Sequence, residues 1–482
     1  MTATTKAAGN RSVKDTEGSV YELRGELSRG GQGIVYHTQY PQVLIKGFTN
    51  KDAHARLRWS RHIAWLTRAE LSGLKLARPL KLLAEPRCGY VMELMDGLVP
   101  LQSLFDSFVA AEDEASADYL RQGGLRRRIR ILSQLARTLN QLHARGMLYG
   151  DLSPSNIFVS DDPDHAETWL IDCDNISPES HSGLTVHTAD YGAPEVVRGD
   201  ALLSSLTDIW SFAVIAYQLL THNHPFKGEM VSDGEPEEEE AALRGEHPWI
   251  NDTQDDANQC FANLPIQLLE HSKLPELFGR CFEAGLRNPV ERPSMAEWLE
   301  ALAEIDERIY CCSGCGGTTL LPAGLGSAED AECFFCDKPV NSRLVLFEEF
   351  ISLPAEEDSA EGKRYATGRK VWLQPGVEIE LKRLMPTYNY DQWPADHIRI
   401  EYNEKGLVIH PLAKEKTQLQ LQLQLQLQRG EAKKPLERQQ GLPEALRGQH
   451  KEPYLIHVGL PEKSSLGGTE LGKSYVIWQF RW

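Results

Sequence analysis

The chain has 482 residues, of which 41% are hydrophobic and 25% are charged, and its formal net charge is −18. This composition is typical of a soluble globular protein, and the length predicts two or three domains. The acidic balance argues against a nucleic-acid partner, which would need a basic surface. The N-terminus lacks the apolar core of a signal peptide, and the longest apolar run is too short to cross a bilayer. We therefore expect a cytoplasmic protein without a membrane partner.

The first predicted elements are strands. A polar segment, residues 1–17, is expected to be disordered. Residues 20–43 are predicted to form paired strands around a glycine-rich turn at residues 28–33, and a short apolar strand follows at 43–46. The beginning of the chain is therefore expected to be rich in β-structure.

Helical patterns dominate the next part of the chain. Trp59, Ile63 and Leu66 recur at i, i+4 and i+7, which predicts a helix. Long helical patterns then cover residues 125–145 and 209–220. A β-rich lobe followed by a helical lobe is an α+β arrangement, with a cleft expected between the lobes.

The C-terminal part has a different character. A compact Cys/Gly segment begins near residue 310, and residues 354–363 resemble a linker or long loop. Strand signals follow at 370–373, 398–402 and 475–478. A Gln/Leu tract at 418–428 alternates strictly, which is consistent with either a half-buried strand or a repeat-expanded loop, and no function is assigned to it.

One short stretch carries the chemistry of a phosphate site. Asp151 is followed five residues later by Asn156, and Asp172 comes sixteen residues after that. One carboxylate can orient a hydroxyl, while the amide and the second carboxylate can hold Mg²⁺ against the phosphates of a nucleotide. Taken alone, an Asp and an Asn at this spacing more often cap a loop.

The order of motifs from about residue 19 to residue 307 resembles a Hanks-type, eukaryotic-like serine/threonine protein kinase domain. The segments that carry this resemblance are Gly30-x-x-Gly33-x-Val35, Lys46, Tyr149 to Asn156, Ile171-Asp172-Cys173-Asp174, Thr188-x-x-Tyr191-x-Ala193-Pro194-Glu195, Asp208-x-Trp210-Ser211-Phe212 and Arg292-Pro293-Ser294. Each is weak alone, but their shared order makes chance a poor explanation.

The resemblance implies an ATP site. Glycines 30 and 33 would let backbone N–H groups approach phosphate oxygens, and Lys46 would contact the α- and β-phosphates. Lys46 needs a carboxylate partner, and Glu70 is the candidate. Glu70 lies at i+11 from Trp59 and so continues the helical spacing of the apolar residues, which predicts that it faces inward. The alternative is that Glu70 is a glutamate on the helix surface. The implied nucleotide-binding residues are Ser28, Gly30, Gly33, Val35, Lys46, Glu70 and Glu93.

The resemblance also implies the catalytic roles. Asp151 would orient the acceptor hydroxyl and take its proton, while Asn156 and Asp172 would hold Mg²⁺. Asp174 stands where the family has glycine, and it is either a second metal ligand or a polar residue that caps the next turn. Glu195 and Arg292 would form a buried structural pair, and Asp208 would cap the catalytic loop.

Two neighbours of Asp151 depart from the family pattern. Gly150 stands in place of an arginine that pairs with a phosphorylated activation loop, which predicts activity independent of loop phosphorylation. Ser153 stands in place of a lysine that steadies the γ-phosphate, so charge stabilisation there would be lower.

Four cysteines have the spacing of a metal site. Cys312-x-x-Cys315 and Cys333-x-x-Cys336 are separated by seventeen residues, which is typical of paired knuckles around a structural Zn²⁺. The alternative is unrelated free thiols. Cys311 is expected to be a bystander.

The sequence thus predicts an α+β, two-lobed protein-kinase-like domain followed by a zinc ribbon and a small mainly-β domain. The predicted boundaries are 1–17 for the disordered N-terminus, 18–307 for the kinase-like domain, 308–342 for the ribbon and 343–482 for the β domain. The arrangement is similar to bacterial kinases encoded beside von Willebrand A proteins and metal-dependent phosphatases in stress-response clusters.

The expected function is ATP- and Mg²⁺-dependent phosphorylation of a protein hydroxyl, in bacterial signalling or stress response. The alternative is a pseudokinase scaffold that binds nucleotide and partner proteins, and a small-molecule kinase is a third possibility. The substrate protein and the oligomeric state are left open by the sequence.

Overall fold

The computed structural model shows two compact units, Met1–Ala303 and Glu304–Trp482. The structure describes residues 11–30, 33–111, 115–179, 187–322, 331–340, 343–352, 364–382, 396–412, 425–430, 432–436, 438–458 and 475–482. The division between the units falls close to the predicted end of the first domain at residue 307. Within the described ranges, no helix combines the length and the apolar character needed to cross a membrane.

The first unit opens with a six-stranded antiparallel sheet in the order β1-β2-β3-β4-β6-β5. Its strands are β1 (Arg11–Lys14), β2 (Val20–Arg29), β3 (Gly33–Thr38), β4 (Val43–Phe48), β5 (Lys81–Leu82) and β6 (Gly89–Glu93). Successive side chains of a strand point to opposite faces, so Leu44 and Ile45 enter two different apolar clusters. Lys46 lies on the same face as Leu44, which is the face covered by Ile63 of the first helix.

The predicted disorder of residues 1–17 is wrong for residues 11–17, while residues 1–10 lie outside the described ranges. Strand β1 pairs with β2, and Val13 is buried in the sheet core. The Asp15 carboxylate accepts hydrogen bonds from the N–H groups of Glu17 (2.9 Å) and Ser19 (2.8 Å) and from the Tyr21 hydroxyl (2.9 Å). A buried valine and a satisfied carboxylate therefore order a segment whose composition is polar.

The described helices are mostly in the first unit. They are α1 (Ala53–Leu66), α2 (Gln102–Ala110), α3 (Ala115–Arg121), α4 (Gly124–His143), α5 (Pro194–Val197), α6 (Ser205–Thr221), α7 (Glu229–Ser232), α8 (Pro236–Leu243), α9 (Leu274–Gly279), α10 (Gly285–Arg287) and α11 (Met295–Asp306). The two long predicted helices correspond to α4 and α6. Helix α6 is buried along almost all of its length, which explains its nearly continuous apolar sequence.

Short strands between the helices hold the loops that carry the chemistry. They are β7 (Leu98–Pro100), β8 (Met147–Leu148), β9 (Ile157–Ser160), β10 (Thr168–Leu170) and β11 (Ser177–Pro178). Strand β9 pairs with both β7 and β10, and β8 pairs with β11.

The second unit contains a β-ribbon and two larger sheets. The ribbon strands are β12 (Ile309–Cys311) and β13 (Thr318–Leu320). The sheets have the orders β15-β14-β23-β22-β19-β20 and β16-β17-β18-β21. Their strands are β14 (Val345–Ser352), β15 (Arg364–Leu373), β16 (Glu378–Lys382), β17 (Asp396–Asn403), β18 (Gly406–Pro411), β19 (Leu425–Arg429), β20 (Ala432–Pro435), β21 (Gln440–Pro443), β22 (Tyr454–Val458) and β23 (Tyr475–Phe480). Side chains from both sheets share one apolar core, so the two sheets form a β-sandwich.

The ribbon and the sandwich are joined by a second apolar cluster. Cys312 and Cys333 of the ribbon, Leu344 before β14 and Trp372 of β15 are all buried in it. The Gln374 amide oxygen accepts a hydrogen bond from the Cys311 N–H at 3.0 Å. The Cys/Gly segment and the sandwich therefore belong to one folding unit rather than two.

The Gln/Leu tract lies mostly outside the described residues, apart from its end in β19. There Leu427 packs against the sandwich core. The Gln428 side chain lies 2.6 Å from Nε2 of the buried His457. The described end of the tract is thus a strand with one apolar face.

A buried ion pair stabilises the helical part of the first unit. Arg292 donates to both carboxylate oxygens of Glu195 at 2.8 Å, and its side chain is 0% exposed. Arg292 also donates to the carbonyl groups of Gly285 (3.0 Å) and Leu206 (2.9 Å). This pair ties helix α5 to the segment before α11, as the sequence predicts.

We expect the Glu195→Gln variant to lower the free energy of unfolding by about 3–5 kcal/mol, because it leaves the Arg292 guanidinium buried and uncompensated. Denaturant unfolding of the full chain measures this loss. The control is Arg244→Ala, which removes exposed pairs with Glu240 and Glu246 and should change little. Equal stability of both variants would contradict the structural role of the pair.

Candidate active site

The strand pairing brings Asn156 and Asp172 to the same place. In the antiparallel pair of β9 and β10, Ile157 lies opposite Leu170, so the residues flanking them are neighbours. The Ile171 N–H donates to the Asn156 carbonyl at 2.9 Å. The loop that follows β8 carries Asp151 and ends at Asn156. The three residues whose convergence the sequence predicts therefore come from two adjacent loops.

Asp208 of helix α6 fixes the start of the Asp151 loop. Its carboxylate accepts hydrogen bonds from the N–H groups of Tyr149 (2.7 Å) and Gly150 (2.9 Å), and it lies 3.0 Å from Nε2 of His143. Gly150 has a φ of +94°, in the left-handed region. A glycine suits this position because a residue with a side chain would be strained there. The glycine that replaces the family's arginine at position 150 thus accompanies a left-handed backbone conformation.

Asp151 is half-buried and hydrogen-bonded. The Thr188 hydroxyl donates to its Oδ1 at 2.7 Å, and the Asn156 amide donates to its backbone carbonyl at 2.9 Å. Burial raises the pKa of Asp151 above its ordinary value, and the hydrogen bond from Thr188 opposes this rise. A carboxylate in this setting can accept a proton from a hydroxyl that is brought to it.

Lys46 is a buried cation between two carboxylates. Its Nζ forms ion pairs with Asp172 and, at 2.9 Å, with Asp174. The side chain of Lys46 is only 8% exposed and that of Asp174 is 0% exposed. The two carboxylates raise the pKa of Lys46 against the effect of its burial. Burial and the adjacent Asp174 raise the pKa of Asp172.

The predicted pairing of Lys46 with Glu70 is wrong. Helix α1 ends at Leu66, where the Thr67 N–H closes the last turn on the Ile63 carbonyl. Glu70 comes after this end, so the helical spacing that predicted an inward position no longer applies. Its side chain is exposed and accepts a hydrogen bond from the Ser72 hydroxyl. The carboxylates that face Lys46 belong to the segment after β10 instead.

The oxygen atoms beside Lys46 suit a divalent cation. Asn156 uses its amide nitrogen toward Asp151, which leaves its oxygen as the coordinating atom. Oδ2 of Asp174 is buried and has no hydrogen-bond partner among the described residues. Amide and carboxylate oxygens are the ligands that Mg²⁺ prefers in proteins. Asn156, Asp172 and Asp174 therefore have the chemistry of an Mg²⁺ site.

The glycine-rich hairpin lies beside Lys46. The Gly30 N–H donates to the Gly33 carbonyl at 2.9 Å, while residues 31 and 32 lie outside the described ranges. A Cβ at Gly33 would lie 2.8 Å from the Gly47 carbonyl oxygen and 3.3 Å from Cε of Lys46. Glycine at position 33 is therefore required by close approach to β4, a reason that sequence reasoning missed.

The other predicted nucleotide-binding residues lie on the same sheet. Ser28 of β2 is opposite Val35 of β3, and Val35 is opposite Lys46 of β4. Glu93 is exposed at the end of β6, opposite Val43. Val35 packs against the apolar cluster that includes Ile63. Their nucleotide contacts stay predictions.

The four predicted cysteine ligands form one cluster. All four Sγ atoms lie within 4.8 Å of one another. Cys312 and Cys336 are 3.7 Å apart, and Cys315 and Cys333 are 3.6 Å apart. A tetrahedral metal with bonds of ~2.3 Å would place its sulfur ligands roughly 3.8 Å apart, so the spacing fits Zn²⁺.

The backbone around these cysteines donates to sulfur. The N–H groups of Gly314 and Gly317 lie 3.3 Å from the Sγ atoms of Cys312 and Cys315, respectively. Such hydrogen bonds favour thiolates, the form that binds metal. Cys311 is not part of the cluster; its Sγ lies 3.7 Å from the Gly316 carbonyl oxygen.

Comparison with known proteins matches this site to a family. A family model described as the protein kinase domain matches residues 85–301, a range that includes Asp151, Asn156 and Asp172 but not Lys46 or the cysteine cluster. This part of the chain is therefore similar to protein kinase domains.

The relatives with similar sequences are protein kinases by name. The serine/threonine-protein kinase Pkn1 of Myxococcus xanthus is 29% identical over 223 residues, which is 43% of this chain and 30% of that protein. PCRK1 of Arabidopsis thaliana is 29% identical over 40% of this chain and 46% of its own length. PknD of Chlamydia abortus is 31% identical over 29% of this chain and 17% of its own length. The chain thus spans less than half of each of these relatives.

Proposed function

We propose that the chain is an ATP- and Mg²⁺-dependent serine/threonine protein kinase. The observation that carries the proposal is the convergence of Lys46, Asp151, Asn156 and Asp172 beside a glycine-containing hairpin, within a chain that matches the protein kinase domain. The serine/threonine specificity is inferred from the relatives, which are named serine/threonine-protein kinases. The alternative of a scaffold without phosphotransfer has no observation in its favour.

Each residue has a defined part in the reaction. Lys46 binds phosphate oxygens of the nucleotide, while Asn156 and Asp172 would hold Mg²⁺. Bound Mg²⁺ supplies charge neutralisation at the phosphates. Asp151 orients the acceptor hydroxyl and accepts its proton as the oxygen attacks the γ-phosphorus. Ser153 is buried and uncharged, so Lys46 is the cation that this site offers to the phosphates.

The segment after Asp172 supports a protein rather than a small-molecule acceptor. The Thr188 hydroxyl is bound to Asp151, and the Ser211 hydroxyl of α6 donates to the Tyr191 carbonyl at 2.7 Å. The Tyr191 hydroxyl donates to Gln218 at 2.9 Å. Glu195 is held by Arg292. Residues 188–195, held by these contacts, would form a ledge beside Asp151 on which an extended peptide can lie.

We expect Asp151→Asn to lower kcat for phosphate transfer on the order of 100- to 10,000-fold, because the amide cannot accept the hydroxyl proton. Transfer of labelled phosphate from ATP to the chain itself or to a generic protein substrate measures this. Asp162→Asn, at an exposed turn, is the matched control. Absence of transfer by the wild type, with nucleotide binding intact, would refute the proposed activity.

The cysteine cluster is proposed to bind one structural Zn²⁺. Four protein thiolates fill a tetrahedral site completely, so no position is left for a substrate. The cluster shares its apolar surroundings with Leu344 and Trp372 of the sandwich. Zn²⁺ would therefore stabilise the second unit rather than take part in phosphate transfer.

Cys333→Ser is expected to abolish stoichiometric zinc and to lower the thermal stability of the second unit, since metal binding contributes folding free energy. Elemental analysis of the purified chain and thermal unfolding with and without a chelator measure both effects. Cys311→Ser should keep the metal, because Cys311 lies outside the cluster. A wild type without zinc, and insensitive to chelator, would contradict the assignment.

A further inference from the structure

Lys46 and Asp174 form the most buried ion pair of the site. Their charged atoms are 2.9 Å apart, and the side chains are 8% and 0% exposed. Asp172, the other partner of Lys46, is 38% exposed. A buried ammonium without a carboxylate is costly, so the inner carboxylate is the one that holds Lys46 when Asp172 is engaged elsewhere.

Helix α1 cannot supply this carboxylate. Residues 53–66 contain no aspartate or glutamate, and the next acidic residue, Glu70, follows the end of the helix and is exposed. In protein kinases, the corresponding lysine is paired with a glutamate of the helix that packs on the sheet. The structure therefore replaces that pair by one from a different element.

The helix contacts the turn that carries Asp174 through a histidine. His62 of α1 lies beside the backbone of Asp174 and Ile176, where the helix packs against this turn. The turn at Cys173–Asn175 is itself buried, and the Cys173 thiol lies 3.5 Å from the Leu170 carbonyl oxygen. The position of Asp174 is thus determined by packing on both sides.

We propose that Asp174 is the residue that positions Lys46 for ATP, in place of a helix-borne glutamate. This inference rests on the proposed kinase function. It has a structural consequence, because Asp174 belongs to the same short segment as the metal-binding Asp172. The lysine and the metal ligand are then aligned together, and no movement of α1 is needed to complete the site.

A different role for Asp174 follows from its second oxygen. Oδ2 has no hydrogen-bond partner among the described residues, so a metal could bind there. If metal binding is the main role of Asp174, its substitution should weaken Mg²⁺ binding and leave the position of Lys46 unchanged. The positioning role and the metal-binding role therefore predict different results in two experiments. One is the recovery of activity at high Mg²⁺, and the other is the thermal stability of the variants without metal.

The pairing is tested first without metal or nucleotide, by thermal unfolding of four full-length proteins: wild type, Asp174→Asn, Lys46→Met and the double variant. Asp174→Asn should lower the Tm by about 4 °C or more in the wild-type background, because Lys46 loses its buried partner. In the Lys46→Met background the same change should leave the Tm unchanged or raise it, because it then removes an unpaired buried carboxylate. Additive effects would overturn the proposal.

The positioning role is tested next by kinetics. Asp174→Asn should lower kcat/KM for ATP on the order of 100-fold, and the loss should be the same at limiting and at saturating Mg²⁺. Recovery at high Mg²⁺ would show a metal ligand and overturn the positioning role. The matched control, Glu70→Gln, should keep wild-type values, and a reversed ranking of the two variants would also overturn it.

The two failures are distinguishable. A wild type that transfers no phosphate refutes the proposed function, whereas additive Tm effects refute the Lys46–Asp174 pairing whether or not transfer occurs.

Discussion

A buried ammonium group must be balanced by carboxylates, and in this protein that requirement joins the first sheet to the segment after β10. Lys46 comes from the middle of β4, on the face covered by α1, whereas Asp172 and Asp174 follow β10. Lys46 and Asp174 are too buried to be stable as charges without each other, and the more exposed Asp172 adds a second carboxylate beside Lys46. The hairpin, helix α1 and the segment that carries Asp172 and Asp174 are arranged around this group, and Gly33 is a glycine because Lys46 and β4 lie so close.

Two other buried carboxylates are likewise balanced by hydrogen-bond or ion-pair partners. Asp208 accepts hydrogen bonds from two successive backbone N–H groups of the loop that leads to Asp151, and Glu195 is bound by both terminal nitrogens of Arg292. Each joins helical structure to a loop that has no regular hydrogen bonding of its own. The loop that leads to Asp151 and helix α5 are therefore held by internal contacts, and Gly150 offers no side chain to a phosphorylated loop. Activity without loop phosphorylation stays a prediction that this arrangement supports.

Local patterns in the sequence predicted which loop residues come together better than they predicted the partner of Lys46. The spacing of Asp151, Asn156 and Asp172 was sufficient to predict that their loops are adjacent, because the short strands between them leave few ways to fold. Glu70 was misplaced because apolar spacing indicates a helix but not its end, and the end at Leu66 depends on backbone turns. The lack of acidic residues in 53–66 was the signal that another partner was needed. Two other features depend on contacts between residues that are distant in sequence. They are the ordered structure of the segment with Val13 and Asp15, and the apolar core that Cys312 shares with Trp372.

The most direct test is an experimental structure of the chain with a non-hydrolysable ATP analogue and Mg²⁺. The account predicts that Lys46 Nζ contacts a phosphate oxygen while it keeps its ion pair with Asp174, and that Asp172 and Asn156 bind the metal. Glu70 should remain exposed beside Ser72. Lys46 turned toward a carboxylate of another element, or nucleotide bound away from Lys46, would contradict the central claim.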